Sequence, residues 1–277
     1  MGFEGYPPGH FYSPVVDVDD PCAIRAVRER TSAPLPAGIG VDAAGMLRTM
    51  ERLARHRSLF PFPREAGEEF RFYWDNPFFG CHDASVYFSM LLEFRPRRVV
   101  EVGCGFSSRL LLDTRDRFGN AEMEITLIDP QLETMLADLR AARAELLNSK
   151  LQDTPLALFE RLEENDILFL DSSHVSKTGS DVNFYLFEIL PRLRSGVLIH
   201  IHDILYPFEY LEEWVLDEKR SWNEAYAVRA FLEYNSDFEI LYWNNYAFHR
   251  LHENLRELMP LCLGNEGGSL WLRRVRG

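Results

Sequence analysis

Several things are scarce in this chain, and each scarcity excludes something. The four cysteines, Cys22, Cys81, Cys104 and Cys262, lie far apart and form no Cys-x-x-Cys pair. That rules out a zinc ribbon or a disulfide framework and predicts reduced thiols in a cytoplasmic protein. Basic charge is short: 30 Lys and Arg against 43 Asp and Glu leave a net charge of −13. A nucleic-acid partner needs a basic surface, so none is expected. No apolar run approaches the ~20 residues of a membrane span. The first residues, Met1-Gly-Phe-Glu-Gly-Tyr-Pro-Pro8, lack a basic start followed by an apolar stretch, so no signal peptide is expected. No Gly-x-x-x-x-Gly-Lys-Ser/Thr run occurs, which argues against a P-loop hydrolase, and no internal repeat stands out. Hydrophobic residues are plentiful, at 46% of 277 residues, and sustain a large core without a metal or disulfide staple.

The most informative stretch is Arg98-Val-Val-Glu-Val-Gly-Cys-Gly-Phe-Ser-Ser108. Val99, Val100 and Val102 favour a strand buried on both faces. Glu101 sits near the strand's carboxyl end, where open α/β folds bind ligands. Gly103 and Gly105 lack a Cβ, so bare backbone can approach a ligand there. Cys104 between them reads as small-residue packing. The dinucleotide fingerprint wants a third glycine where Ser108 stands, so that match is partial. Asp129 closes the next strand, Glu124–Asp129, where a carboxylate can accept both hydroxyls of a ribose.

Around this loop the chain alternates. Helical spacing over Ala84–Phe94 precedes the strand at 98–102, and a helix from Phe106 to about Arg117 follows. Beyond Glu124–Asp129, Leu132, Met135, Leu136, Leu139 and Ala142 mark a helix, and Glu145–Leu151 is a weak third strand. Asp166–Asp171 and Gly196–His202 are buried strands, with a helix through Val182, Leu186, Ile189, Leu190 and Leu193 between them. Ser221-Trp-Asn-Glu224 reads as a capping box opening a helix to Tyr234. Phe238–Trp243 and Gly268–Arg274 are strand candidates joined by a wide loop, and a final antiparallel strand is expected. The predicted fold is a doubly wound, Rossmann-like, mostly parallel α/β sheet. Residues 1–83 form a separate N-terminal lobe: an irregular arm, a helix from about Asp42, and a Phe-rich segment at 60–82 placed to cap the cleft. Residues 84–277 form the main domain.

Glu-x-Gly-x-Gly together with Asp129 resembles the class I S-adenosylmethionine-dependent methyltransferases, through Val99-Val-Glu-Val-Gly-Cys-Gly105 and Ile125-Thr-Leu-Ile-Asp-Pro130. The resemblance implies a seven-stranded sheet with an antiparallel last strand and S-adenosylmethionine as cofactor. It assigns Glu101, Gly103, Gly105, Phe106, Ser107, Asp129 and Asp171 to the cofactor, with Gln152 and Asp153 beside the adenine. Glu101 would meet the ammonium group, directly or through water. Asp171-Ser-Ser-His174 and His200-Ile-His-Asp203 are similar to motifs of a bacterial subgroup of these domains.

Both polar clusters fall at carboxyl ends of adjacent strands. Methyl transfer to an alcohol needs its proton removed, so His174 and His202 are candidate bases. Asp171 and Asp203 are candidate ligands for Mg²⁺ or another divalent cation, matching where metal-dependent relatives place acidic residues. His200 reads as a packed strand residue, and Ile204 stands where a zinc hydrolase would carry aspartate. His82-Asp83 reads either as an edge of the acceptor pocket or as a plain helix start. The expected function is O-methylation of a small-molecule or saccharide acceptor by a cytoplasmic enzyme, and a homo-oligomer is compatible with it. Two rivals remain: an NAD-type oxidoreductase, and a non-catalytic cofactor-binding subunit.

Overall fold

The computed structural model describes residues 5–118, 121–132 and 143–276. Seven strands form one sheet: β1 Arg98–Val102, β2 Glu124–Ile128, β3 Glu145–Leu147, β4 Ile167–Leu170, β5 Leu198–Ile201, β6 Phe238–Trp243 and β7 Leu270–Arg274. Their order is β3-β2-β1-β4-β5-β7-β6. Strands β1 to β5 pair in parallel, while β7 runs antiparallel to both β5 and β6, as expected. The central strands are β-branched and leucine-rich because both faces are buried; β4 and β5 are buried throughout. β1 lies between β2 and β4. Chain direction across the sheet therefore reverses at its carboxyl end, which is where open sheets bind ligands.

The helices are α1 Pro21–Arg28, α2 Ala43–Ala54, α3 Cys81–Phe94, α4 Phe106–Phe118, α5 Ala157–Glu160, α6 Asp181–Phe184, α7 Glu224–Glu233, α8 Asn244–Arg250 and α9 His252–Leu258. α6 runs on through irregular turns to Arg192. The helix expected through Met135 and Leu139 lies outside the described residues. The stretch between β6 and β7 is helical rather than a wide loop, because Ala247, Leu255, Met259 and Cys262 supply enough buried contacts. The capping box at Ser221 does not form. Ser221 instead accepts the Val16 N–H at 3.3 Å, and Glu224 turns into the core.

The N-terminal residues share the core of the sheet: Val27, Ile39, Met50 and Leu53 belong to the same apolar cluster as Leu272. The Phe-rich segment is fastened by one carboxylate. Asp113 on α4 accepts the N–H groups of Arg71 and Phe72 at 2.7 and 2.9 Å. Phe62 then packs edge-on against Phe60, Phe70, Phe72 and Phe88, with ring centroids 5.1–5.7 Å apart. This anchoring delivers Phe78 and Phe79 to the carboxyl edge of the sheet.

Candidate active site

Gly103 leaves β1 at φ +79, a conformation open to glycine. A Cβ there would stand 1.5 Å from the carbonyl oxygen of Asp171, so the turns after β1 and β4 touch backbone to backbone. At Gly105 a Cβ would meet nothing within 4 Å, leaving clear space on the cleft side. Asp129 closes the loop from β2: its oxygens accept the N–H of Cys104 at 3.1 Å and of Gln131 at 2.6 Å. Two hollows meet here. One, of about 330 Å³, runs past Phe78, Gly105, Phe106 and Ser107. The other, of about 440 Å³, runs past Gln131, Gln152, Lys177 and Gly179. Gly103, Asp129 and Asp171 belong to both walls.

Seven of the residues expected at the cofactor therefore share one elongated cleft: Gly103, Gly105, Phe106, Ser107, Asp129, Gln152 and Asp171. Two do not. Asp153 is exposed and not part of the wall. Glu101 is fully buried behind the loop, where it accepts the hydroxyls of Ser107 at 2.8 Å and Ser108 at 2.5 Å, with Tyr87 at 3.4 Å. Burial pushes its carboxyl up to about 7, against the pull of the two serine hydroxyls. Direct contact with a cofactor ammonium is thus not how Glu101 is placed; it fastens the first turn of α4, where a carboxylate also suits the helix dipole. Ser108, which replaces the third glycine of the dinucleotide pattern, is one of its two hydroxyl partners.

A third hollow of about 560 Å³ opens beside the first, with Trp74, Asp83, His202, Asp203, Trp214 and Glu266 on its wall. Phe78 lines both hollows and is 76% exposed. Asp83 does more than start α3. Its Oδ1 accepts the N–H groups of Gly268 and Ser269 at 3.0 Å and the Ser269 hydroxyl at 2.6 Å, fixing the entry to β7. His200 is a packed strand residue as expected, stacked on Phe169 at 3.7 Å, and burial holds it well below its ordinary pKa.

The two candidate bases turn out to be different. His174, in the left-handed region at φ 58, is buried, and its ring lies 4.2 Å from that of Trp222. Its Nδ1 donates to Glu224 at 2.7 Å, and its Nε2 stands 3.4 Å from Asp171 and 3.7 Å from Asp203. Burial disfavours charge on this ring, but the three carboxylates outweigh it and hold His174 well above 6.5. The carboxylates favour its protonated form, and it lies off the walls of all three hollows. Both ring nitrogens of His174 thus face carboxylates, which favours a positioning role over that of a free base.

The same geometry bears on the metal expectation. Asp171 and Asp203, paired as cation ligands in the sequence reading, face the imidazolium of His174. Among the described residues no group of three or more His, Cys, Asp or Glu is arranged to hold a metal ion. As placed, the two carboxylates take part in an ion network with His174 and His202.

His202 is placed differently. It is 5% exposed, lies on the wall of the third hollow, and its Nδ1 has no hydrogen-bond partner among the described residues. Its Nε2 is 3.6 Å from Asp203. Burial lowers its pKa, yet Asp171, Asp203 and Asp83 outweigh burial and raise it above 6.5. Burial pushes Asp203 up in turn, while His202 and His174 pull it back.

Glu224, Tyr185 and Trp222 were invisible as site residues in the sequence. Tyr185 donates its hydroxyl to Glu224 at 2.6 Å. Glu224 looked like a helix cap, and nothing local marks it as the partner of a histidine far back in the chain. Removing one member of a buried ion pair costs about 3–5 kcal/mol, so His174→Gln is expected to destabilise the fold by that order. A raised histidine pKa stabilises fully below 6.5, and that stability is lost as pH rises through the folded value. Melting curves taken from neutral to alkaline pH should therefore fall for wild type and fall less for His174→Gln; parallel curves would contradict the imidazolium assignment.

Part of the chain matches a known family. Residues 100–204, from β1 to just beyond β5, match a family described as a methyltransferase domain. An uncharacterized protein of Archaeoglobus fulgidus is 34% identical over 182 residues, covering 62% of this chain and 82% of its own. Among solved structures, CmcI with SAH is 19% identical over 80% of this chain and 91% of that one, at TM-score 0.41. A DUF574 family protein from Streptomyces avermitilis is 14% identical over 69% and 80%, at TM-score 0.43. With the matched segment carrying the glycine loop, Asp129, Asp171 and His202, the chain belongs to the class I S-adenosylmethionine-dependent methyltransferases.

Proposed function

We propose that this enzyme methylates an oxygen of a small-molecule or saccharide acceptor, with His202 as the base. The observation that carries the reading is the meeting of two hollows at Phe78: the glycine-loop cleft on one side and the His202 wall on the other. The residues present suit the cofactor, because the loop is clear of side chains at Gly105 and Asp129 stands beside it. Asp129 would accept the ribose hydroxyls, and Gln152 would lie toward the base. Bound there, S-adenosylmethionine supplies a sulfonium methyl whose carbon–sulfur bond breaks as the acceptor's oxygen–carbon bond forms. His202 takes the proton the oxygen loses, and Asp203 orients the ring. His174 holds Asp171 and Asp203 at fixed spacing. Phe78 and Phe79 stand on the cleft wall, and a bound acceptor would cover the exposed ring of Phe78. In this reading residues 1–83 act as the acceptor lobe and residues 84–277 as the transfer domain.

The test has two arms. Native mass spectrometry of freshly purified protein should show co-purified S-adenosylhomocysteine, with or without added Mg²⁺. Label from tritiated S-adenosylmethionine should then enter a hydroxyl of a phenolic or sugar acceptor; label found only on nitrogen or carbon would contradict O-methylation. Asp129→Ala is expected to weaken S-adenosylhomocysteine about 10- to 100-fold by calorimetry, the worth of one or two charge-assisted hydrogen bonds. Unchanged affinity would remove Asp129 from the site.

A further inference from the structure

We infer that the hollow beside His202 selects acceptors bearing an ammonium group and rejects those bearing phosphate, sulfate or carboxylate. This inference rests on the methyl-transfer reading above and names the charge class of its acceptor. Four carboxylates stand on the wall, those of Asp75, Asp83, Asp203 and Glu266, and among the described residues it carries no Lys or Arg. Two of the four are neutralised from outside. Asp75 pairs with Arg64 at 3.1 Å, and Glu266 pairs with the buried Arg30 at 2.9 Å. Asp83 and Asp203 have no Arg or Lys ion pair among the described residues. Asp83 is held by backbone and side-chain donors that carry no charge, and Asp203 faces His174 and His202 with the carboxylates of Asp171 and Asp83 close by. An anionic acceptor would add a further negative charge to a partly desolvated hollow, where charges are poorly screened. An ammonium would neutralise one.

Two observations beyond the carboxylates point to a ligand here. His202 is 5% exposed and on this wall, and its Nδ1 lacks a partner among the described residues. The remaining wall is aromatic: Trp74, Phe78 and Trp214. Aromatic rings beside carboxylates form a recognised ammonium cage. Both tryptophans already associate with cations elsewhere, Trp74 with Arg64 at 5.6 Å and Trp214 with Arg220 at 4.8 Å from the ring centroid. Phe78 is 76% exposed, so a ligand spanning the junction would cover apolar surface that is now in water. The shape suits a ring with the reacting hydroxyl at the His202 end and the ammonium among the tryptophans.

A matched phenol series isolates the charge: tyramine, 4-hydroxyphenylethanol and 4-hydroxyphenylacetate share a ring and hydroxyl and differ mainly in the terminal group. Their binding is measured by saturation-transfer NMR and calorimetry on the full chain saturated with S-adenosylhomocysteine. Saturation is confirmed first on the same preparation; its failure would overturn the cofactor site instead. Tyramine is expected to bind at least about tenfold tighter than 4-hydroxyphenylacetate, the alcohol falling between, as one well-placed charge contact implies. Asp203→Asn should narrow that gap, and Trp214→Leu, at a half-buried position, should weaken tyramine most while leaving S-adenosylhomocysteine binding unchanged. Equal binding of the three, a lead for the carboxylate, or no binding of tyramine overturns the inference.

Discussion

Gly103→Ala is expected to abolish binding of S-adenosylhomocysteine and to lower the melting temperature at the same time. The new Cβ would stand 1.5 Å from the carbonyl oxygen of Asp171, and both partners are backbone, so no side-chain rotation relieves the overlap. φ +79 adds strain for any residue with a Cβ, of order 1–2 kcal/mol. The turns after β1 and β4 must part, and the wall they share comes apart with them. Gly105→Ala provides the contrast. Its Cβ meets nothing within 4 Å, so the fold is retained and melting is nearly unchanged, while the methyl group intrudes on the cleft and affinity falls. Thermal melts and calorimetry on the two variants separate a conformational glycine from a steric one. Equal melting losses, or full binding by Gly103→Ala, would contradict the geometry.

His202→Gln is expected to cut methyl transfer to a phenolic acceptor by about 10²–10⁴-fold, the usual worth of a positioned base, with binding of S-adenosylhomocysteine unchanged. The pH profile carries the sharper test. A base works only when deprotonated, and the carboxylates around His202 raise its pKa above 6.5. Wild-type turnover should therefore climb as pH increases, with its inflection above 6.5, and the variant's residual rate should lose that inflection. His174→Gln should keep an inflection and move it upward, because His174 lies off the cleft wall and its charge no longer holds the His202 pKa down. A profile that flattens in His174→Gln and persists in His202→Gln would reverse the assignment.

The fold was legible because its signals are local. Val99, Val100 and Val102 ahead of paired glycines mark a buried strand and its turn, and the same logic finds β2, β4 and β5 from short apolar runs between acidic or polar ends. The antiparallel β7 followed from the short connection between residues 243 and 268, and the family resemblance implied the same. The helices between β6 and β7 escaped because their buried residues, Ala247, Leu255 and Met259, are spread over short turns with weak repeats.

At the site, what the sequence places well is what backbone geometry controls. Gly103, Gly105 and Asp129 are where the strand ends require them. What misreads depends on contacts across the chain. Glu101 looked available to a ligand, yet two serine hydroxyls from α4 and the Tyr87 hydroxyl claim it. His174 looked like a base until Glu224, from a helix far along the chain, supplied the second carboxylate that holds its charge. Burial and partner count set the chemistry of an ionisable group, and neither is written in its immediate neighbours.

The most direct test of the account is a parallel calorimetric titration of the wild-type chain with S-adenosylhomocysteine and with a reduced nicotinamide dinucleotide. The account predicts saturable one-site heat from the thioether nucleoside, lost in Gly103→Ala and reduced in Asp129→Ala, and none from the dinucleotide. Tight dinucleotide binding with no heat from S-adenosylhomocysteine would contradict it.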